Sequence, residues 1–126
     1  MSWSKSLTGF ADEAEKALTK RQKDIAAYFL QQVIVTSPVM DGTYRGNHRV
    51  TVDGITLDYD LDLQDAGGQM TLMSGMQQIG TVSQPFGSIT IQNNLPYGER
   101  IENGWSMQAA SGVYSVALNS TVEKFK

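Results

Sequence analysis

Three aspartates at alternating positions, Asp58, Asp60 and Asp62, are the densest set of candidate ligands or general bases in the chain. Asp-x-Asp-x-Asp resembles the start of a calcium loop, and carboxylates held this way can carry a divalent ion for hydrolysis of an ester or phosphodiester. The loop pattern then breaks, because its sixth position needs glycine and its twelfth glutamate, and Leu63 and Gln69 stand there. A metal-dependent hydrolase or nuclease using the Asp58/Asp60/Asp62 row is therefore the enzymatic alternative. The simpler reading is a solvated strand face, and a third is an acidic channel lining that repels passing DNA. Glu99 and Glu102 are a second carboxylate pair, but the sequence places no histidine, lysine or further carboxylate cluster beside them. There is no cysteine and one histidine, His48, which excludes disulfides, thiolate nucleophiles, ordinary zinc sites and imidazole clusters. No cofactor is expected, and binding is favoured over chemistry.

The balance of 10 basic and 13 acidic residues leaves a formal charge of -3, which opposes sequence-independent grip on a phosphate backbone. A DNA-packaging accessory that binds duplex directly is disfavoured on that ground. The opening residues lack the basic region and apolar run of a secretion signal, and no apolar stretch reaches membrane-spanning length. The expectation is a soluble, cytoplasmically made protein with no membrane partner. At 126 residues the chain reads as a single domain, 1–126, long enough to bury a core without staples.

The elements that must position these residues begin with a long helix. From Thr8 to Thr36 there is no proline, and Phe10, Ala14, Ala17, Leu18, Ile25, Tyr28 and Phe29 fall within an arc of about 120° at helical period. Pro38 ends the run. Its length of about 40 Å exceeds what a domain this size needs to cover its own core, so part of it can serve a neighbour. Arg21 and Gln32 lie inside the arc, where their stems either snorkel over the core edge or meet another subunit. Asp53-Gly54 is the preferred chemistry of a two-residue hairpin turn. Folding there sets Val52 opposite Ile55, Val50 opposite Leu57 and His48 opposite Tyr59, with Arg49 opposite Asp58 on the other side. Ile55 to Leu63 then alternates as a second strand, apolar on one face and acidic on the other.

Past Gly67-Gly68, the residues Met70, Leu72, Met73, Met76 and Ile79 predict a shorter helix weakened by Gly75. Ser88–Gln92 reads as a strand that stops at Asn93-Asn94, and Tyr97–Asn103 as one helical turn closed by Gly104. Asn94 is placed to cap that turn and Pro96 to open it where no amide donor is needed. In the tail, Tyr114, Leu118, Val122 and Phe125 fit a helix face, while Tyr114, Val116 and Leu118 also suit a strand.

Two motifs in order carry a resemblance. Ser37-Pro38-Val39-Met40-Asp41-Gly42-Thr43-Tyr44-Arg45-Gly46 follows the long helix, and Asn93-Asn94-Leu95-Pro96-Tyr97-Gly98-Glu99-Arg100-Ile101-Glu102-Asn103-Gly104-Trp105-Ser106 follows the last strand. Together they resemble the tail-completion or neck (head-tail joining) family of tailed bacteriophages, the minor tail protein Z-like proteins. The second motif, similar to that family's Asn-Asn-x-Pro-Tyr-Ala-x-x-Leu-Glu-x-Gly-x-Ser run, is the more specific. Met40 and Asp41 depart from the family's usual Asp then Thr, and His48 from its usual aromatic residue.

The resemblance implies an α+β fold, with a long N-terminal helix packed on a small antiparallel sheet containing a β-hairpin, a second helix and, deciding the tail, a C-terminal helix. It further implies a non-enzymatic virion protein at the neck or tail end, assembled in the host cytoplasm. Its copies would form a ring, on the order of six or twelve subunits, that completes the tail and joins it to the DNA-filled head. The implied partners are head-tail connector or adaptor proteins and tail tube or tail terminator proteins, with DNA as passing cargo. Candidate interface residues are Arg21, Gln32, Arg45, Asn94, Pro96, Tyr97, Glu102 and Trp105, and Asp58, Asp60 and Asp62 are the channel-facing candidates.

Overall fold

The computed structural model describes the backbone of residues 3–126 and the side chains of residues 7–126. The reading of the N-terminal residues rests in part on Met1 and Ser2, which lie outside them. The chain is mixed α and β. Helix α1 (Trp3–Thr36) comes first, then a single turn α2 (Thr43–Gly46), strand β1 (His48–Val52) and helix α3 (Gln69–Gly80). Strand β2 (Ile89–Asn93), the short helix α4 (Gly98–Glu102), a 3-10 turn (Met107–Ala109) and helix α5 (Tyr114–Phe125) complete it. The tail is thus a helix. Among the described residues no helix is long and apolar enough to cross a membrane.

Helix α1 starts earlier than its periodicity suggested, running 34 residues, or about 50 Å. It stops where Pro38, fully buried, forbids another turn. The predicted apolar arc turns out to serve two environments. Its C-terminal part lies against α5, where the Tyr28 hydroxyl meets Ser120 at 2.9 Å and its ring meets Phe125 edge-on at 5.8 Å. Phe29 packs the same way on Tyr114. Its N-terminal part, Phe10, Ala14, Ala17 and Leu18, is exposed.

The most deeply buried residues of α1 lie on a neighbouring face that the arc did not include. Ala26, Leu30 and Ile34, spaced at one helical turn, pack with Val50 and Ile79, and Leu72, Ile89 and Ile91 close over them. Val33 belongs to a second cluster with Tyr44, Leu95, Ile101, Ala109, Val113 and Ala117. Helix α1 is therefore the shared wall between two halves of the core.

The hairpin at Asp53-Gly54 does not form. Asp53 does take a left-handed conformation, φ 57°, as that turn chemistry requires. Its amide instead donates to the Ser88 carbonyl at 2.8 Å and its carboxylate accepts the Ser88 amide at 2.9 Å, so it ends the pairing of β1 with β2. Among the described residues the sheet has two strands, antiparallel, with Val52 opposite Ile89, Val50 opposite Ile91, His48 opposite Asn93 and Arg49 opposite Gln92. The alternation identified the inward face of β1 but not its partner. Two runs carry the same apolar pattern, and β2 wins because its Ile89 and Ile91 reach the Leu30 cluster from the same side as Val50. Residues 54–64 form an irregular arm instead of a strand.

Gly75 weakens α3 by propensity, and the packing explains why it is there. A Cβ at this position would overlap Leu30 Cδ2 and come within 2.9 Å of Val50 Cγ2, so glycine lets α3 approach α1 and β1 closely. Gly42 is fixed in a similar way, at φ 87°, with a Cβ there falling 2.5 Å from the Ala66 amide nitrogen. We expect Gly75→Ala to lower unfolding stability by about 1–3 kcal/mol despite its better helix propensity, because Leu30 is fully buried and has no room to yield. Adding Leu30→Val should recover part of the loss. Urea denaturation of both variants checks this, and a more stable Gly75→Ala would show that the close approach is not what selects glycine.

Candidate functional site

The Asn93–Ser106 segment is fixed from within and exposed along its outer side. The Asn93 side-chain Nδ2 donates to the Tyr44 carbonyl at 2.9 Å, and its Oδ1 accepts the Leu95 amide at 3.2 Å. The local turn is therefore held by Asn93, and Asn94, expected to cap it, reaches away to the carbonyls of Thr56 and Asp58, both at 3.0 Å. Pro96 precedes α4 without opening it, since the helix begins at Gly98. Gly104 closes the turn at φ 87°, as the sequence suggested. Tyr97 turns inward against the Tyr44 cluster. Trp105 is 72% exposed and Met107 98%. The Arg100 guanidinium lies 5.1 Å above the Trp105 ring, a cation–π contact between two exposed side chains.

Glu102 does its work at another helix. Its carboxylate accepts the amides of Val113 at 3.0 Å, Tyr114 at 2.8 Å and Ser115 at 3.0 Å, plus the Ser115 hydroxyl at 2.9 Å. These are the orphan donors at the start of α5, and an anion there is also favoured by the helix dipole. Partial burial pushes this carboxyl up, but the four donors outweigh it and hold the pKa below the ordinary value.

Behind the loop lies a buried polar network that the sequence reading did not assemble. His48 Nε2 is 2.6 Å from the Ser37 hydroxyl, and Nδ1 is 2.8 Å from the Tyr114 hydroxyl. Ser37 directs its own hydroxyl proton to the Val33 carbonyl at 2.6 Å, so it accepts from Nε2–H. Nδ1 then accepts from Tyr114, and the ring is a satisfied neutral imidazole. Burial, then the positive charges of Arg45 and Arg49, push its pKa down to about 3. A serine beside a histidine is the pairing of a nucleophile and its base. Here Ser37 and His48 are 3% and 4% exposed, the serine proton points away from the ring, and no substrate can reach them. The signal for this site was the place of His48 in register with Val50 and Val52 on the inward face; its partner Tyr114 is 66 residues away.

The other candidates are scattered. Arg21 donates to the Phe125 carbonyl at 2.9 Å and Gln32 accepts from Ser120 at 3.4 Å, so both serve the contact of α1 with α5 in their own chain. Arg45 stitches the turn after α1 to the loop before α3 through the carbonyls of Ser37 at 2.7 Å and Ala66 at 3.0 Å. Asp58, Asp60 and Asp62 are exposed on the arm and do not form a strand face. Asp58 lies 3.7 Å from Arg49, and Asp60 accepts the Asp62 amide at 2.9 Å. Among the described residues, no group of three or more histidines, aspartates and glutamates is placed to hold a metal ion. A cleft of about 560 Å³ runs between β1, the arm and α3, and a more apolar groove of about 490 Å³ lies between α1, β2 and α5.

No protein-family model matches this chain, and no curated protein or solved structure matches it.

Two outcomes test the buried groups. Glu102 has a depressed pKa, so its stabilisation is fully present above the ordinary value of 4.5 and is lost as pH falls through the lower folded value. Glu102→Gln should therefore cost about 0.5–2 kcal/mol at pH 7, with the gap to wild type closing toward pH 3 in thermal melts. A gap that stays constant with pH would mean the carboxylate charge is not what caps α5. For His48, the unfolded ring protonates below 6.5 while the folded ring stays neutral to about 3, so stability drains away across that window as pH falls. His48→Gln should be less stable at pH 7 and flatter between pH 6.5 and 4. Equal slopes in urea titrations would show that the ring is protonated in the native state.

Proposed function

We propose that this chain is a structural subunit of the neck or tail end of a tailed phage, forming a ring that completes the tail and joins it to the DNA-filled head. The observation that carries this reading is the Asn93–Ser106 segment. Its sequence resembles the neck family's signature, and its loop is held by Asn93 and Glu102 from inside with Pro96 and Trp105 exposed outside and Met107 exposed just beyond it, which supports a contact role. Large, exposed amphipathic side chains on a fixed loop are the usual anchors of a protein interface.

The N-terminal turns of α1, where Leu7, Phe10 and Leu18 are exposed, add a second apolar surface. The mechanism is binding. One modest contact, repeated around a closed ring, gains by avidity what it lacks alone. The neighbours expected on the two ring faces are connector or adaptor proteins and tail tube or terminator proteins, with DNA passing through the channel.

Averaged electron micrographs of the purified protein, alone and on isolated tails, test the reading directly; a monomer that never decorates tails refutes it. Trp105→Ala removes an exposed ring and should leave stability within about 0.5 kcal/mol of wild type, while heads and tails fail to join. Normal infectious yield with this variant would exclude the loop as the contact. Arg45 is unsuited to the same test, because reversing its charge would break its bonds to Ser37 and Ala66 and disturb the fold itself.

A further inference from the structure

Strand β1 has two edges, and among the described residues β2 occupies one of them. The Asp53 amide donates to the Ser88 carbonyl on that side, so by alternation along the strand the main-chain groups of Thr51 and Arg49 also face β2. Those of His48, Val50 and Val52 therefore face the other edge. A cleft of about 560 Å³ opens there, bounded by β1, by Thr56 and Asp58 of the arm, and by Met70, Ser74 and Gln78 of α3.

The arm runs beside that edge in one alignment. Asn47 donates to the Asp60 carbonyl at 2.9 Å and accepts its amide at 2.7 Å, and Arg49 lies 3.7 Å from Asp58. Asn47 with Asp60 and Arg49 with Asp58 are rungs of the register that a two-residue turn at Asp53-Gly54 imposes. In that register Val52, Val50 and His48, whose main chains face the open edge, meet Ile55, Leu57 and Tyr59 as the hydrogen-bonded rungs. Those rungs are not made. The amides of Ile55, Leu57 and Tyr59 donate to no group among the described residues. Instead Gln92 and Asn94 reach across and donate to the Thr56 carbonyl at 2.6 and 3.0 Å, and Asn94 donates to that of Asp58 at 3.0 Å. In the paired form these two carbonyls would point away from β1. The straps thus hold the arm rolled over, with Ile55 74% and Leu57 80% exposed.

We propose that the arm is a latched third strand: release of Gln92 and Asn94 lets the segment between Gly54 and Asp60 roll and zip onto the open edge of β1. Half of the turn is already set, because Asp53 is at φ 57°. Gly54 supplies the other half; it is not at positive φ in the latched form, and glycine enters that region without steric cost. Zipping turns Ile55, Leu57 and Tyr59 to the side of Val50 and Val52, over Met70, Ser74 and Gln78, and keeps Asp58 opposite Arg49. Latched, the chain offers an apolar row beside an open cleft. Zipped, it offers neither, so a partner that prefers one state biases the arm, whether or not the chain builds a ring.

Amide exchange measured by NMR tests this in the intact chain. With the latch removed by Gln92→Ala and Asn94→Ala, the Leu57 and Tyr59 amides should exchange at least about tenfold more slowly than in wild type, and close Hα contacts should appear between Thr51 and Thr56. The isosteric pair Gln92→Glu and Asn94→Asp, which removes the donors and keeps the volume, should do the same, and decides the matter if the alanine pair loosens the core amides of Leu30 and Val33. Adding Gly54→Val, which resists positive φ and meets no neighbour, should return the arm to fast exchange. Arm amides that exchange as fast as in wild type in the folded latch-free chain overturn the proposal. Slow exchange that survives Gly54→Val also overturns it, because the arm would then have closed without the turn.

Discussion

A neutral imidazole sealed in the interior constrains the arrangement of the rest of the chain. His48 is tolerable at that depth only while one ring nitrogen finds an acceptor and the other a donor. Ser37 at the end of α1 and Tyr114 at the start of α5 supply them, so two helix ends and β1 must meet at one point. Tyr114 is in turn held by the Glu102 carboxylate, and Asn93 ties the end of β2 to the carbonyl of Tyr44 beside the same ring. The exposed loop carrying Trp105 is thus anchored at both ends to the least adaptable part of the core.

The starts of α3 and α5 follow one local rule. Helix α3 begins with Asp65 accepting the Thr71 amide and hydroxyl, both at 2.8 Å, and α5 with Glu102 accepting three amides. Each carboxylate comes from an upstream segment, Asp65 from the loop before α3 and Glu102 from the end of α4, and not from the residue next to the helix, so it locks that segment to the helix as well as satisfying the orphan donors. That division of labour places charged groups where they organise the fold and leaves much of the apolar surplus outside, on the arm, the loop and the free end of α1.

Helices α1 and α3 were legible because their periodicity is local, and the breaks at Pro38 and Gly104 are properties of those residues; the tail's pattern fitted helix and strand alike, and packing of Ala117 and Thr121 against α1 makes it the helix α5. The sheet was legible only in part. Val50 and Val52 declare which side of β1 faces inward, but the choice between Ile55–Leu63 and Ile89–Asn93 as partner is made by packing on Leu30 and Ile79, which no local pattern contains. The loop reading had the same limit. Its punctuation by Pro96 and Gly104 was visible, whereas the exchange of roles between Asn93 and Asn94 depends on an arm nearly forty residues upstream. Glu102 was singled out on a motif, and its service to α5 required knowing which helix starts beside it.

The first turns of α1 have a consequence of their own. From Leu7 to Leu18 every described side chain is exposed, so little apolar burial supports these turns. They are sustained chiefly by continuity with the packed half of the same helix, and an end of that kind opens at lower cost than the core. Its backbone amides should exchange with solvent faster than those of the packed half until something covers them. The slowing of that exchange would then act as an intrinsic gauge of occupancy, reading out from within the chain whether its projecting end has been engaged.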